Sequence, residues 1–342
     1  MRAEEVHLKR PPSVLAWVVR GTAVLLVATL AYLGYLVVSD RIASRTGSPA
    51  GRAAETLMRL VRENPGDATL RVRLAEALLA AGRKRDAAEQ FQAALKLEPD
   101  NANALSGLAL IAMQGEEWQK AEGYWLKIIE SLEEGQFVLQ DQRLEKAYFY
   151  LGNVLIEQGR YEDAVDYLKR ALVMRRDASD THYVLSYAYW KLDIHDKRRE
   201  HLGYALMFDP ALPEANYDLG TILLEEGDEA AAAEHFRRSA DKAPSGRTEP
   251  ADALKRLGPF EDRLAAARES QATDAKAALA EARVALALEP GDVEAAKLVA
   301  ALWEKAGDED KAREAWDAVA RLAPEDPAVT EAVERLEKGK KK

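Results

Sequence analysis

Residues 148–173 read YFYLGNVLIEQGRYEDAVDYLKRALV, and this stretch decides the fold. Apolar positions recur at three- and four-residue spacing in two runs on either side of Gly159, the pattern of two amphipathic helices joined at a turn. The pattern then returns twice at a step of 34 residues: Leu151 with Gly152, Leu185 with Ser186, Leu219 with Gly220. Phe149, Tyr183 and Tyr217 keep the same step, as do Ala171, Ala205 and Ser239. A fixed period of this size marks stacked units, none of which can bury its apolar side without a neighbour.

Outward from this block the period continues. Residues 67–101 carry Leu74, Ala75, Leu78, Gly82, Ala87, Phe91, Ala94 and Pro99 at matching offsets, and residues 102–135 follow with Leu108, Ala109, Ala121 and Trp125. Gly115 stands one place early, which predicts an altered turn. Residues 136–144 are an insertion that lengthens either the connection or the next helix. Three contiguous units fill 145–246. The middle one departs most: Asp193 replaces the turn glycine, and Arg198 stands where its neighbours have Ala164 and Ala232. A small residue there lets paired helices approach, so this unit is expected to pack less tightly or to shift register. A second interruption, 247–258, is edged by Pro250 and Gly258. Two further units occupy 259–326, and 327–342 reads as a capping helix with a lysine tail. Residues 51–66 read as a partial unit or cap.

The motif YxxLGxxLxxxGxxxxAxxxLxxAL resembles the tetratricopeptide repeat, with a small residue in the first helix, glycine near the turn, alanine in the second helix and proline at the end of the unit. The resemblance covers about residues 50–335. It implies an all-α fold, a right-handed superhelical solenoid of paired antiparallel helices, whose usual work is to bind protein partners.

The N-terminal end reads differently. Residues 21–38 (GTAVLLVATLAYLGYLVV) carry no charge, and as a helix this run would span about 27 Å, close to a bilayer core. Extending it to residue 15 brings in Trp17, which with Tyr35 is placed as an interfacial anchor. A transmembrane helix over 15–38 is therefore expected, between a short flank (1–14) and a linker (39–50). A cleaved signal peptide and a buried helix are the competing readings. No convincing small-residue cleavage site follows the run. Arg2, Lys9, Arg10 and Arg20 on one side against Arg41, Arg45 and Arg52 on the other lean towards an exported array. That gives a bilayer contact through 15–38 and, in a bacterium, a single-pass inner-membrane location with the repeats on the periplasmic side.

Composition narrows the chemistry. A formal charge of -10 argues against a nucleic-acid partner, and the absence of cysteine removes disulfides, thiolate nucleophiles and haem attachment. His7, His182, His195, His201 and His235 form no metal-ligand or triad-like spacing. No catalytic residue, metal or cofactor is expected, and the chain is read as a non-enzyme. Lys197, Arg198 and Arg199 are a dense basic run that could grip an acidic partner or simply be solvated.

In the tetratricopeptide family the first helices of successive units line a concave face. Transferred to the phase of this chain, the resemblance places Phe149, Tyr150, Asn153 and Ile156, then Tyr183, Tyr187 and Trp190, then Tyr217, Thr221 and Leu224 in a protein-binding groove. Their other reading is packing of unit against unit. Val72, Glu76, Lys297 and Ala301 do not match the family's carboxylate clamp. The expected function is a membrane-anchored interaction scaffold, binding one or more proteins that include a membrane-complex component. The alternatives are a permanent subunit of a larger membrane complex, or a carbohydrate-binding or enzymatic solenoid.

Overall fold

The computed structural model describes residues 48–133 and 140–339. The chain forms two compact units, over residues 1–136 and 137–342. Among the described residues all regular structure is helical.

The first unit holds α1 (Pro49–Glu63), α2 (Ala68–Ala80), α3 (Lys84–Leu97), α4 (Ala102–Gln114) and α5 (Trp118–Glu133), each packed on the next. Helix starts are written into the sequence: Asp67 accepts from the Leu70 amide and Asn101 from the Ala104 amide, capping the first turns of α2 and α4. The core runs through Val72, Leu74, Leu78, Phe91 and Leu108. Gly107 matters here, because a Cβ would stand 2.2 Å from the Phe91 ring, so α4 lies on α3 only without a side chain at that point.

The second unit opens with three helix pairs: α6 (Gln142–Glu157) with α7 (Tyr161–Met174), α8 (Ser179–Lys191) with α9 (His195–Phe208), and α10 (Pro213–Glu225) with α11 (Glu229–Lys242). α6 has 16 residues where α8 and α10 have 13, and its added first turn buries Leu144 completely. Next come α12 (Glu249–Arg256), α13 (Phe260–Ser270), α14 (Ala275–Leu288), α15 (Val293–Ala306), α16 (Glu309–Leu322) and α17 (Pro327–Gly339). α12 lies within the stretch read from the sequence as an interruption. It packs on α11, and α11 also packs directly on α14, so two second helices meet there. Arg263 ties this junction together, with Glu281 at 2.9 Å, Glu229 at 2.8 Å and its Nε donating to the Leu257 carbonyl at 2.7 Å.

Six of the turns that join the two helices of a pair place one residue in the left-handed region. Four use Gly82, Gly159, Gly227 and Gly307; the other two use Glu116 (φ 57°) and Asp193 (φ 59°). Gly115, one place early, leaves Glu116 in the position glycine would take more cheaply.

The expected transmembrane helix over 15–38 lies outside the described residues. No described helix is long and apolar enough to cross a membrane. The longest of them, α5 and α6, have 16 residues, about 24 Å at the helical rise and short of a hydrocarbon core of about 30 Å, and both carry charged exposed faces. The supported fold is therefore the helical array alone. The preceding membrane span, the bilayer contact, the membrane-complex partner and the inner-membrane location are corrected accordingly.

Candidate protein-binding face

The residues assigned to the groove lie on α6, α8 and α10, the first helices of three consecutive pairs. Most are half-buried and held by a partner. Phe149 and Ile156 pack on the Val165, Leu168, Leu185 and Tyr189 cluster, and Tyr150 meets the Phe149 ring edge-on at 5.2 Å. Asn153 donates to the Phe149 carbonyl at 2.8 Å and Thr221 to the Tyr217 carbonyl at 3.0 Å, so both side chains serve their own helices. Tyr183 rests on Leu202, Ala205 and Ala215. Tyr217 leans on Phe236 at 5.7 Å. Phe149, Tyr183 and Tyr217 thus each sit in a cluster of their own, joining neighbouring helices. The most exposed of the set are Trp190, at 42%, and Leu224, at 37%.

Around Trp190 the structure changes character. Tyr187 meets its ring at 5.5 Å, the Lys191 ammonium lies 4.3 Å from its centroid and the Arg198 guanidinium 5.2 Å from it. Arg198 is where a small residue would bring helices together. Its own pair, α8 on α9, still packs closely, and the thinning appears one step later, between α9 and α10. A hollow of about 350 Å³ opens there, bordered by Trp190, Arg198, Arg199, Ile222, Glu225 and Glu226. The basic run is largely engaged internally: Lys197 pairs with Glu200 at 2.6 Å and Arg199 with Glu226.

Beneath this rim lies a charge cluster that the sequence reading missed. Asp218 of α10 accepts from the Tyr183 hydroxyl. Burial raises the Asp218 carboxyl above the ordinary range, with Arg198 and Arg247 pulling it back. Burial, then the charges of Asp218 and Glu214, lift the Tyr183 hydroxyl well above the usual phenol range. Arg247 pairs with Glu214 at 2.9 Å and lies 5.9 Å from the Tyr217 ring. Asp218 follows Tyr217 directly, but a carboxylate one place from an aromatic carries no signal without the neighbouring helix.

A polar bridge was also missed. His182 Nε2 lies 3.0 Å from the Arg176 carbonyl, which can only accept, so Nε2 carries the proton. Its Nδ1 then accepts from His201 Nδ1 at 3.0 Å. One step on, Asn216 donates to the Pro210 carbonyl at 3.0 Å and His235 Nδ1 donates to Asn216 Oδ1 at 2.9 Å. The positions are 34 apart at both ends, and this repeated spacing was the signal available. Burial, then His182, push His201 down to about 4, and burial lowers His235. No group of three or more metal-ligating side chains occurs among the described residues.

Tetratricopeptide-repeat family models match residues 72–136 and 197–247, and a second such model matches 145–177. The chain is 23% identical over 155 residues to the BBSome complex member BBS4 of Bos taurus, a match that takes in 45% of this chain and 28% of that protein; the chain thus spans less than a third of this relative's length. Among solved structures it is similar to YrrB, described as a tetratricopeptide-repeat protein with an unusual peptide-binding site, at 20% identity, covering 59% of this chain and all of that one with a TM-score of 0.46. It is also similar to pilF of Pseudomonas aeruginosa, at 18% identity, 67% and 95% coverage and a TM-score of 0.46. The matched stretches lie within the array of paired antiparallel helices and take in less than half of the chain.

Proposed function

We propose that this chain is an interaction scaffold that receives a segment of a partner protein across α6, α8 and α10, centred on Trp190. One observation carries the reading: Trp190 is exposed beside an open hollow, flanked by Tyr187, Lys191 and Arg198. A large aromatic side chain at the rim of a hollow, ringed by cations, is the composition of a binding hot spot. The half-buried Phe149, Tyr150, Asn153, Ile156, Tyr183, Tyr217, Thr221 and Leu224 form the floor and flanks of this face and hold the three helices in phase.

The test is co-isolation of the full chain with its partners, repeated with Tyr187→Ala and Trp190→Ala together. Loss of a specific partner, with helical content and melting temperature retained, is expected. Retention of every partner by a folded variant overturns the assignment. A second reading, a permanent subunit of a larger assembly, is favoured by α9, where Tyr204, Met207 (66% exposed) and Phe208 lie open on the second helix of the same pair. In that case α9 substitutions, and not α8 substitutions, release the partners.

A further inference from the structure

The junction after α11 builds a feature that the repeat plan alone does not supply. Because α12 is inserted and α11 packs on α14, a valley runs between α11, α14, α15 and α16. Three adjoining hollows of about 740, 240 and 440 Å³ share Arg283 and Trp303 on their walls. Trp303 is half-buried, with the Lys311 ammonium 4.4 Å and the Arg283 guanidinium 5.8 Å from its ring.

The two ends of the valley differ in chemistry. One is largely apolar, with Ala230, Leu279, Ala280 and Ala306 about Trp303. The other is basic: Arg237, Arg238, Arg283, Lys311 and Arg321 stand against only Glu234 and Glu314, on a chain whose formal charge is -10. Glu234 is already held by Arg283 at 2.6 Å, Arg237 is paired with Asp241, and Lys311 is paired with Asp308 at 3.1 Å. Arg238 and Arg321 are exposed and have no ion-pair partner among the described residues. Positive charge concentrated on one wall of an acidic molecule attracts a ligand of opposite sign.

We propose that the Trp303 valley is a second binding surface, for an acidic peptide segment of a partner protein that carries an apolar side chain. The apolar residue enters the hollow beside Leu279 and Trp303, and neighbouring carboxylates reach Arg238 and Arg321. A nucleic acid fits less well, because Glu226 and Asp228 border the apolar end and the molecule as a whole repels a polyanion. This surface is independent of the Trp190 face and does not rest on that assignment.

The experiment measures fluorescence anisotropy of a fluorescein-labelled decapeptide that alternates pairs of carboxylates with leucine or phenylalanine, titrated with the full chain. Saturable binding is expected, weakened at least tenfold by Arg238→Glu with Arg321→Glu, and comparably by Ala280→Trp, which plugs the hollow from an exposed position. Trp190→Ala should leave it unchanged. Circular dichroism checks that each variant is folded. The proposal is overturned by absence of saturable binding, by equal binding of the amide counterpart of the peptide, by insensitivity to both the charge and the plug variants, or by tighter binding of a single-stranded oligonucleotide of equal length at the same residues.

Discussion

Two consecutive helix pairs, α6 with α7 and α8 with α9, share a 34-residue step and differ in nearly everything that step does not fix. In the first, Gly152 lies so close to Leu168 that a Cβ would fall 2.6 Å from its Cγ, and α7 buries Ala164, Val165, Leu168 and Ala171. In the second, Ser186 replaces the glycine and donates to the Tyr183 carbonyl at 2.6 Å, Arg198 replaces the alanine, and α9 buries only Leu202 and Ala205. Polar bridges make up part of what apolar packing supplies elsewhere. Five exposed large side chains, Trp190, Ile194, Tyr204, Met207 and Phe208, belong to this second pair or its turn, against Val173 alone in the first. One pair spends its side chains on cohesion and the other presents them to solvent.

Exchanging the two signatures gives the largest expected effect. Ala164 is fully buried, so Ala164→Arg forces a charge into the core and should destabilise the chain by about 3–5 kcal/mol. The reverse change, Arg198→Ala, removes a half-exposed guanidinium and should shift stability by less than about 1 kcal/mol. Urea denaturation followed by circular dichroism reads both, and equal losses would erase the distinction between the pairs.

How much of this was legible in the sequence depends on what each residue faces. The period, the misfit of Asp193 and Arg198 and the break at 247–258 could be read because they are properties of spacing. The direction of the misfit is not legible: Arg198 predicts a unit that packs less tightly or shifts register, and the opening lies between α9 and α10, where the guanidinium turns over Trp190 and acts on Asp218. Aromatic residues on α6, α8 and α10 could equally line a groove or join units, and Phe149, Tyr183 and Tyr217 pack into clusters while Trp190 does not. That choice depends on the neighbouring helix, which periodicity alone does not position.

Gly152→Ala sharpens the comparison at a single atom. The added methyl overpacks Leu168 and should cost about 1–3 kcal/mol, whereas Ser186→Ala, at a site that already holds a Cβ, loses one hydrogen bond and should cost about 1 kcal/mol. Thermal melts that ranked the two in reverse order would contradict the packing described for α6.

Acid should separate the pairs next. His201 titrates at about 4 in the fold against about 6.5 in an unfolded chain, so between these values the unfolded state takes up the proton first. Its contribution to stability is complete above pH 6.5, declines as pH falls and is gone below about 4. The midpoint of thermal unfolding should therefore drop from pH 7 to pH 5, and His201→Phe should flatten that part of the profile.

The smallest effect concerns the turns. Glu116 holds a left-handed conformation that glycine adopts freely, so Glu116→Gly should stabilise by roughly 0.5–1 kcal/mol. Asp193→Gly should gain less, since aspartate tolerates that region better. Unchanged or lowered melting temperature for Glu116→Gly would show that the turn carries no strain.

The claim that α8 and its neighbours are built for recognition is tested most directly by photo-crosslinking. A benzophenone amino acid is placed at position 190 and, in a separate variant, at position 173, where the exposed Val173 lies on α7 of the cohesive pair and outside the proposed face, in the cells from which the chain comes. A discrete crosslinked partner at 190, with little or none at 173, is the expected result. Equal yields at both positions, or no adduct at 190 from a folded protein, would contradict it.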